Sequence, residues 1–589
     1  MNKQSINHLI NVFKTLNLIY NVNKKLIITI FILTILTGLS PAVSVILSQE
    51  LLNSIQIRNE GINVTIKIFI IYIIFSILSD IFSSIKSYVS SKLQILLNYK
   101  LNYMLVSKCS KLAVEDFENT ETYDQISRLE NDISTKPYQT FESTLTFISS
   151  FITFISVASI LFVWKSWVIG AVVVVPVISS IYYLKIGKQE FLMRYNRSSK
   201  ERESWYIEYL MTHDFAFKEI KANNLKNYFI DKYWSINKAF IKQENDINKK
   251  RAYISILFNI TQEIVSACII LLAVTEAVKG KLLIGNVTSY IRSVGTIQSC
   301  TMGMITSIYT IYNSNMYMDL MEKFLALKEE DNEGIIIDSI ESISFRSVSY
   351  KYEDELVLKN VSFDIKKGES IAVIGKNGSG KSTLSKLITG IYAKYTGEIY
   401  INNINFKKIN KIQYRNHLSV LFQDFLKLEM SAFDNVSLGD KYNQHNIKKV
   451  NNVLSNLGVD FLKGENKEYD LNKQLGNWFE NGQELSGGQW QKIALARTHY
   501  KNSDVYIFDE PSSALDASSA NNVFEEFYNV SKNKLGIFIT HKISAVKDFN
   551  KIIVLDKGKI VGMEKHSVLM ENCCLYKELY LEETKFERV

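Results

Sequence analysis

The first half of the chain is built from long apolar runs. They cover Leu26 to about Leu47, about Ile62 to Ile85, Phe141 to Val163, Trp167 to Leu184 and Tyr253 to Val278, and a further helix begins near Ile284. Helices of these lengths match the roughly 30 Å of bilayer hydrocarbon, so six spans are predicted. The connections near 53–61, 164–166 and 279–283 are short, whereas 86–136 and 185–252 are long and rich in Lys and Arg. Basic segments favour the cytoplasmic side, which places the N-terminus, both long segments and everything after the sixth span there. Lys279 and Lys281 run against this bias and are outweighed by it.

Helical periodicity continues through the long segments, which carry almost no Gly or Pro, so the spans are expected to extend as helices beyond the membrane. The sixth reads as one helix from about Ile284 to Leu325, roughly 60 Å long. Each long segment breaks once, at Phe117–Asp124 and around Thr212–Glu219. These breaks are either hairpin turns or docking elements, the first expected near Gln423. Asp80, Glu263 and Arg292 fall within spans, where a charge either lines a cavity or sits at the membrane edge.

The pattern changes after a charged linker at 326–340. Short alternating runs such as Ser344–Tyr350 and Val361–Ile365 give way to strand-like and helix-like stretches in alternation, which predicts an α/β domain. The expected organisation is therefore a multidomain membrane protein. Residues 1–330 form an all-α, six-helix transmembrane domain and residues 331–589 an α/β P-loop domain. Composition refines this only slightly. The net charge of +8 comes with lysines flanking apolar runs, which points to anionic lipid rather than nucleic acid. Five cysteines show no metal spacing and no disulfide framework. Abundant Asn, Lys and Ile suggest an AT-rich bacterial genome, so a bacterial plasma membrane is expected.

The candidate chemistry sits in the second half. Gly375-Lys376-Asn377-Gly378-Ser379-Gly380-Lys381-Ser382-Thr383 follows the apolar run Ser370–Ile374 and precedes a helical stretch. Strand, glycine loop and helix in that order form a Walker A phosphate loop. The glycines let backbone N–H groups converge on phosphate oxygens, and the helix N-terminus adds its positive dipole end. Lys381 would reach the β- and γ-phosphates of ATP and Ser382 would hold Mg²⁺. Val505-Tyr506-Ile507-Phe508-Asp509-Glu510 is an apolar strand ending in two acids, a Walker B pattern. Asp509 would hold Mg²⁺ through water and Glu510 would polarise the attacking water. Between them lies Leu485-Ser486-Gly487-Gly488-Gln489, which opens another helical run. A second glycine-rich helix start cannot reach the same phosphates within one domain, so it would serve ATP held by a partner.

With these motifs the whole chain resembles an ABC exporter half-transporter, six spans plus one ATP-binding cassette. The resemblance implies further roles. Tyr352 would stack on adenine, although Tyr350 is near and Tyr352 can equally be a strand-surface tyrosine. Gln423 would be the Q-loop glutamine that senses Mg²⁺ and the lytic water. Asp516 would close the D-loop at the dimer interface, and His541 would be the switch histidine. The run Leu485–Gln489 would be the family's signature sequence, and because Glu510, His541 and this signature are all intact, a homodimer with two competent sites is implied. The run from Leu475 through Trp478-Phe479-Glu480 into the signature is similar to that of lantibiotic and related peptide exporters. This implies ATP-driven export of a ribosomally made, modified peptide, with modification enzymes as possible partners and leader removal by another enzyme. The alternatives are a multidrug or lipid exporter of the same fold and, from a different class, an ATP-gated regulator that pumps nothing. Six spans exclude a soluble ATPase acting on nucleic acid.

Overall fold

The computed structural model describes residues 3–586, apart from 58–61, 121, 123–124, 127–128, 130–132, 134, 331–332, 353–354, 441, 444 and 512–516. It falls into two compact units. One comprises Met1–Leu112 and Asn119–Lys328, and the other Ala113–Glu118 and Glu329–Val589.

The first unit is helical: α1 (Lys3–Tyr20), α2 (Lys24–Gln56), α3 (Ile62–Cys109), α5 (Thr135–Trp164), α6 (Ser166–Thr212), α7 (Asp214–Ala222), α8 (Lys226–Val278) and α9 (Ile284–Leu325). The short α4 (Val114–Phe117) counts with the second unit. The expected spans lie inside α2, α3, α5, α6, α8 and α9, and the helices do run on past them. In α3 the change of solvent is written in the sequence. None of its apolar N-terminal part is buried, whereas Val89, Leu93, Leu97, Leu101 and Leu105 form a buried stripe at a spacing of four residues.

Among the described residues five helices are long and apolar enough to cross a membrane, and α9 is not one of them. The expected sixth span is continuous but more polar than the others. Its Ser289, Ser293, Thr301, Ser307 and Ser314 are buried, so the polar side chains face inward among neighbouring helices. Close packing there uses small residues, as expected where lipid supplies no hydrophobic drive. A Cβ on Gly303 would stand 2.9 Å from Ser150 Oγ of α5, and Thr153 Oγ1 of α5 donates to Gly38 O of α2 at 2.6 Å. Gly285 lies so close to α2 that a Cβ would meet Gln49 O at 2.3 Å, and the next residue, Asn286, accepts hydrogen bonds from Gln49 and Asn53 at 2.9 Å. Beyond the apolar stretches, α6 and α8 are joined by charge. Arg251 reaches Glu190 at 2.6 Å, Arg197 reaches Glu244 at 2.7 Å and Lys232 reaches Glu203 at 2.8 Å. Asp80, Glu263 and Arg292 are all exposed on the unit's surface.

The second unit holds two sheets. Strands β1 (Ser342–Tyr352), β2 (Glu355–Lys366), β4 (Thr396–Ile401) and β5 (Ile404–Asn405) form an antiparallel sheet in the order β2-β1-β4-β5. The other sheet contains β3 (Ser370–Ile374), β6 (Leu418–Leu421), β7 (Val505–Asp509), β8 (Leu535–Ile539), β9 (Lys551–Asp556) and β10 (Lys559–Glu564), ordered β10-β9-β3-β8-β7-β6. All its pairings are parallel except β10 with β9. Every residue of β7 and β8 is buried, so both faces of the sheet are covered. That is why these strands read as unbroken apolar runs rather than alternating ones. Helices α10 (Lys381–Ile388), α11 (Lys411–Asn416), α12 (Ala432–Ser437), α13 (Ile447–Asn456), α14 (Gly487–Tyr500), α15 (Ala517–Ser531), α16 (His566–Asn572) and α17 (Cys574–Phe586) complete the unit.

Candidate functional site

Strand register gathers the chemistry at one edge. Val373, Ile539 and Asp509 are aligned across β3, β8 and β7. The residues that follow therefore leave the sheet together: the loop from Gly375, the pair Thr540-His541, and Glu510. Backbone bonds fix the alignment, with Thr540 N–H donating to Val373 O at 3.1 Å and Glu510 N–H to Ile539 O at 2.8 Å. The carboxyl ends of parallel strands are where such sheets bind ligands.

The loop needs its glycines. A Cβ on Gly375 would sit 2.2 Å from Leu555 O, and Gly380, which caps α10, has φ of 105°. Lys381 is buried, and its ammonium donates to Gly375 O at 2.9 Å and Lys376 O at 3.3 Å. Asn377, Gly378 and Ser382 are exposed to the cleft, whereas Ser379 and Thr383 are buried.

Glu510 is the hub. Its φ of 47° lies in the left-handed region, an uncommon conformation for glutamate and one found at functional turns. Gln423 Nε2 donates to its carboxylate at 3.0 Å, and His541 Nδ1 and Lys381 Nζ each stand 3.7 Å away. His541 first, and Lys381 after it, hold the Glu510 carboxyl below the usual carboxylate range. At 3.7 Å both stand beyond direct hydrogen-bond range. Asp509 behaves in the opposite way. Burial and the neighbouring Glu510 push its carboxyl up to about 6.

Asp509 Oδ1 is buried without a protein hydrogen bond of normal geometry, and so is Ser379 Oγ. Buried oxygens left so are costly in the protein alone and suit a cation and a bound phosphate donor set. The cleft measures about 1320 Å³ and is lined by the phosphate loop, Gln423, Glu510 and His541. These residues fit a nucleoside triphosphate with a divalent cation.

The other expected residues lie elsewhere. Tyr352 ends β1, and its hydroxyl lies 3.4 Å from Thr383 Oγ1 and donates to Tyr392 Oη at 2.9 Å; it is not among the residues lining the cleft. Ser486 caps α14 in a capping box with Gln489, with Ser486 and Gly487 exposed and Gly488 and Gln489 partly so; none of the four lines the cleft. A glycine-rich helix start turned to the unit's surface is the arrangement expected of a site completed by a second chain. Asp516 lies outside the described residues.

Two features had no motif to announce them. The first is Tyr392, a fully buried hydroxyl hub. It accepts from Tyr352 at 2.9 Å and Lys386 at 2.7 Å and donates to Glu118 at 2.8 Å, which uses both lone pairs and the one proton. Glu115 accepts from the backbone N–H of Ala393 at 3.1 Å. Glu118, within the first break, thus engages Lys386 of α10 and the turn after it; Tyr123 lies outside the described residues. The second is α17, whose Leu579, Glu582 and Glu583 line the cleft.

Comparison with known proteins agrees with this geometry. Residues 26–301 match the family described as the ABC transporter transmembrane region, and residues 358–513 the family described as ABC transporter. The chain is 43% identical over 571 residues to the subtilin transport ATP-binding protein SpaT of Bacillus subtilis, across 96% of this chain and 93% of that protein. It is 38% identical over 589 residues to the nisin transport ATP-binding protein NisT of Lactococcus lactis subsp. lactis, across 99% of this chain and 97% of that protein. A solved bacterial Atm1-family ABC exporter with ATP bound shares the fold, with a TM-score of 0.79 at 19% identity over 95% of this chain and 98% of the other.

Proposed function

We propose that this chain, which belongs to the ABC transporter family as a membrane-embedded half-transporter, uses ATP hydrolysis to export a ribosomally made, modified peptide of the lantibiotic class. One observation carries the cargo assignment: similarity spans nearly the whole chain in two proteins named for subtilin and nisin transport. The ATPase assignment rests on the cassette itself, which binds ATP.

In this reading ATP supplies the hydrolysable γ-phosphoryl group. The phosphate loop and Lys381 bind and orient the phosphates, and Tyr352, which lies outside the cleft lining but beside Thr383, would stack on the base with its ring. Ser382, Asp509 and Gln423 would hold Mg²⁺. Glu510 accepts the proton of the attacking water and His541 orients it. Phosphoryl transfer is mainly a matter of positioning and charge stabilisation, so this set of groups is sufficient in kind. Ser486 to Gln489 of one chain would complete the site of the other in a homodimer, with the cassettes on the cytoplasmic side. Stiff helical extensions would pass their closure and reopening to the membrane cavity.

The test compares peptides in the medium and cytosol of native cells carrying wild-type protein or Glu510→Gln, by mass spectrometry. The reading predicts that one modified peptide disappears from the medium and accumulates inside. Unchanged peptide profiles with altered lipid distribution or dye efflux would overturn it in favour of a lipid or multidrug exporter.

A further inference from the structure

The helix α17 reaches the cleft at two points, and one of them is unusual. The Glu583 carboxylate accepts the backbone N–H of Ile543 at 2.6 Å, the backbone N–H of Ser544 at 3.2 Å, and the Ser544 hydroxyl. These groups begin the 3₁₀ turn Ser544–Val546, two and three residues after His541. An ionised acceptor serving three donors at once makes strong, short hydrogen bonds. The second point is an exposed ion pair between Glu578 and Lys376 of the phosphate loop at 3.1 Å, of a kind that contributes little. Packing supports the first contact. Ile543, Val546 and Phe549 share a core with Tyr576, Leu579 and Tyr580 of α17. His541 itself is half exposed, and Nδ1 stands 3.7 Å from Glu510. Among the described residues the His541 side chain has no hydrogen bond of normal length, whereas the backbone two and three residues beyond it is bound by Glu583.

We infer that Glu583 is a positioning residue for ATP hydrolysis: from α17 it pins the backbone at 543–544 and thereby keeps His541 facing Glu510. The inference rests on the reading of His541 as the switch histidine. Glu583 touches no reacting atom, so its loss should slow turnover and leave nucleotide affinity largely alone. A group held by a carboxylate that is removed becomes misoriented, and misplacement of about 1 Å costs up to ~100-fold in rate.

The experiment uses the full-length protein in lipid nanodiscs with ATP and Mg²⁺. Glu583→Gln keeps one acceptor oxygen, Glu583→Ala keeps none, and Glu571→Gln on α16 is the charge control. The expected result is a fall in kcat of about tenfold for Gln and more for Ala, with KM for ATP within about twofold. The amide protons of Ile543 and Ser544 should exchange at least about tenfold faster without nucleotide, while the melting temperature changes little. With His541→Ala in place, Glu583→Gln should have no further effect, because coupled residues are not additive. If His541→Ala abolishes turnover but the Glu583 variants keep wild-type kcat, the positioning role is wrong and the site reading stands. If His541→Ala leaves turnover intact, the site reading itself fails. A kcat loss that merely follows the unfolded fraction, or slowed turnover with unchanged exchange at 543–544, also overturns the inference.

Discussion

Phe69, Ile73 and Ile77 of the membrane unit are exposed while Ser289 and Ser293 are fully buried; in the cassette Ile371, Ile507 and Ile537 are fully buried and the polar groups gather at one sheet edge. The same side-chain types thus occupy opposite places. Water drives apolar residues inward in the cassette, and each fully buried aliphatic side chain there contributes about 1.5–3 kcal/mol. Lipid offers no such drive, so the membrane helices are held by close approach at glycine and by hydrogen bonds across the interface. What differs is where chemistry can be concentrated. The cassette has a rigid covered sheet whose strand ends aim Gly375, Glu510 and His541 at one cleft, while the membrane unit spends its buried polar groups on packing.

The largest expected effect separates chemistry from packing. Glu510→Gln should lower ATPase turnover by about 10²–10⁴-fold, the range for a lost general base, while a fluorescent nucleotide still binds within about threefold of wild type. Equal loss of binding would mean that Glu510 is structural.

Next comes the contrast between the cores. Phe508 is fully buried in β7, and Phe508→Ala should cost about 3–5 kcal/mol of cassette stability in chemical denaturation. Ile74, 53% exposed on α3, should change stability by less than about 0.5 kcal/mol when made Ala. Comparable costs would break the comparison.

A pH effect of about 3 kcal/mol is expected from His499, at the end of α14. Burial lowers its imidazole to about 4 from the usual 6.5. The folded state then binds fewer protons than the unfolded state between these values. Its contribution is fully present above about pH 6.5 and is lost as pH falls toward 4. Glu526 lies 3.7 Å away, and its own burial raises its carboxyl, which opposes part of this slope. Denaturation of wild type and His499→Gln from pH 7 to 4 isolates the histidine, and the variant should show the shallower acid loss.

Tyr392→Phe removes the hydroxyl hub and keeps the ring stack with Tyr350, whose centroid is 4.9 Å away. Lys386 and Glu118 keep their own ion pair at 3.2 Å, but each loses its bond to the hydroxyl, which should cost about 1–3 kcal/mol, read as a lower melting temperature with a smaller further loss when Glu118→Ala is added. The smallest effect belongs to the membrane unit. Asn286→Ala should cost about 0.6–2 kcal/mol in detergent unfolding, the range for interhelical bonds in membranes.

Much of this was legible in the sequence, for physical reasons. A 20-residue apolar run has few alternatives to a membrane helix, and a strand buried on both faces must be apolar throughout, so α2, α3, β3, β7 and β8 announce themselves. The glycines at 375, 378 and 380 and the acids at 509 and 510 are legible because phosphate and metal chemistry restrict residue type at fixed spacing. The polarity of α9 was harder to anticipate, since serine facing a neighbouring helix and serine facing water look alike in sequence. Tyr392 and Glu583 had no local signal. Their roles come from partners 274 and 39–40 residues away in the chain, so only the folded arrangement reveals them.

The most direct test of the central claim is ATP-dependent uptake of the modified peptide into inside-out vesicles containing the purified protein. The account predicts accumulation against a gradient, peptide-stimulated hydrolysis, and loss of both in Glu510→Gln. Hydrolysis that proceeds at full rate while no peptide crosses the membrane would contradict it.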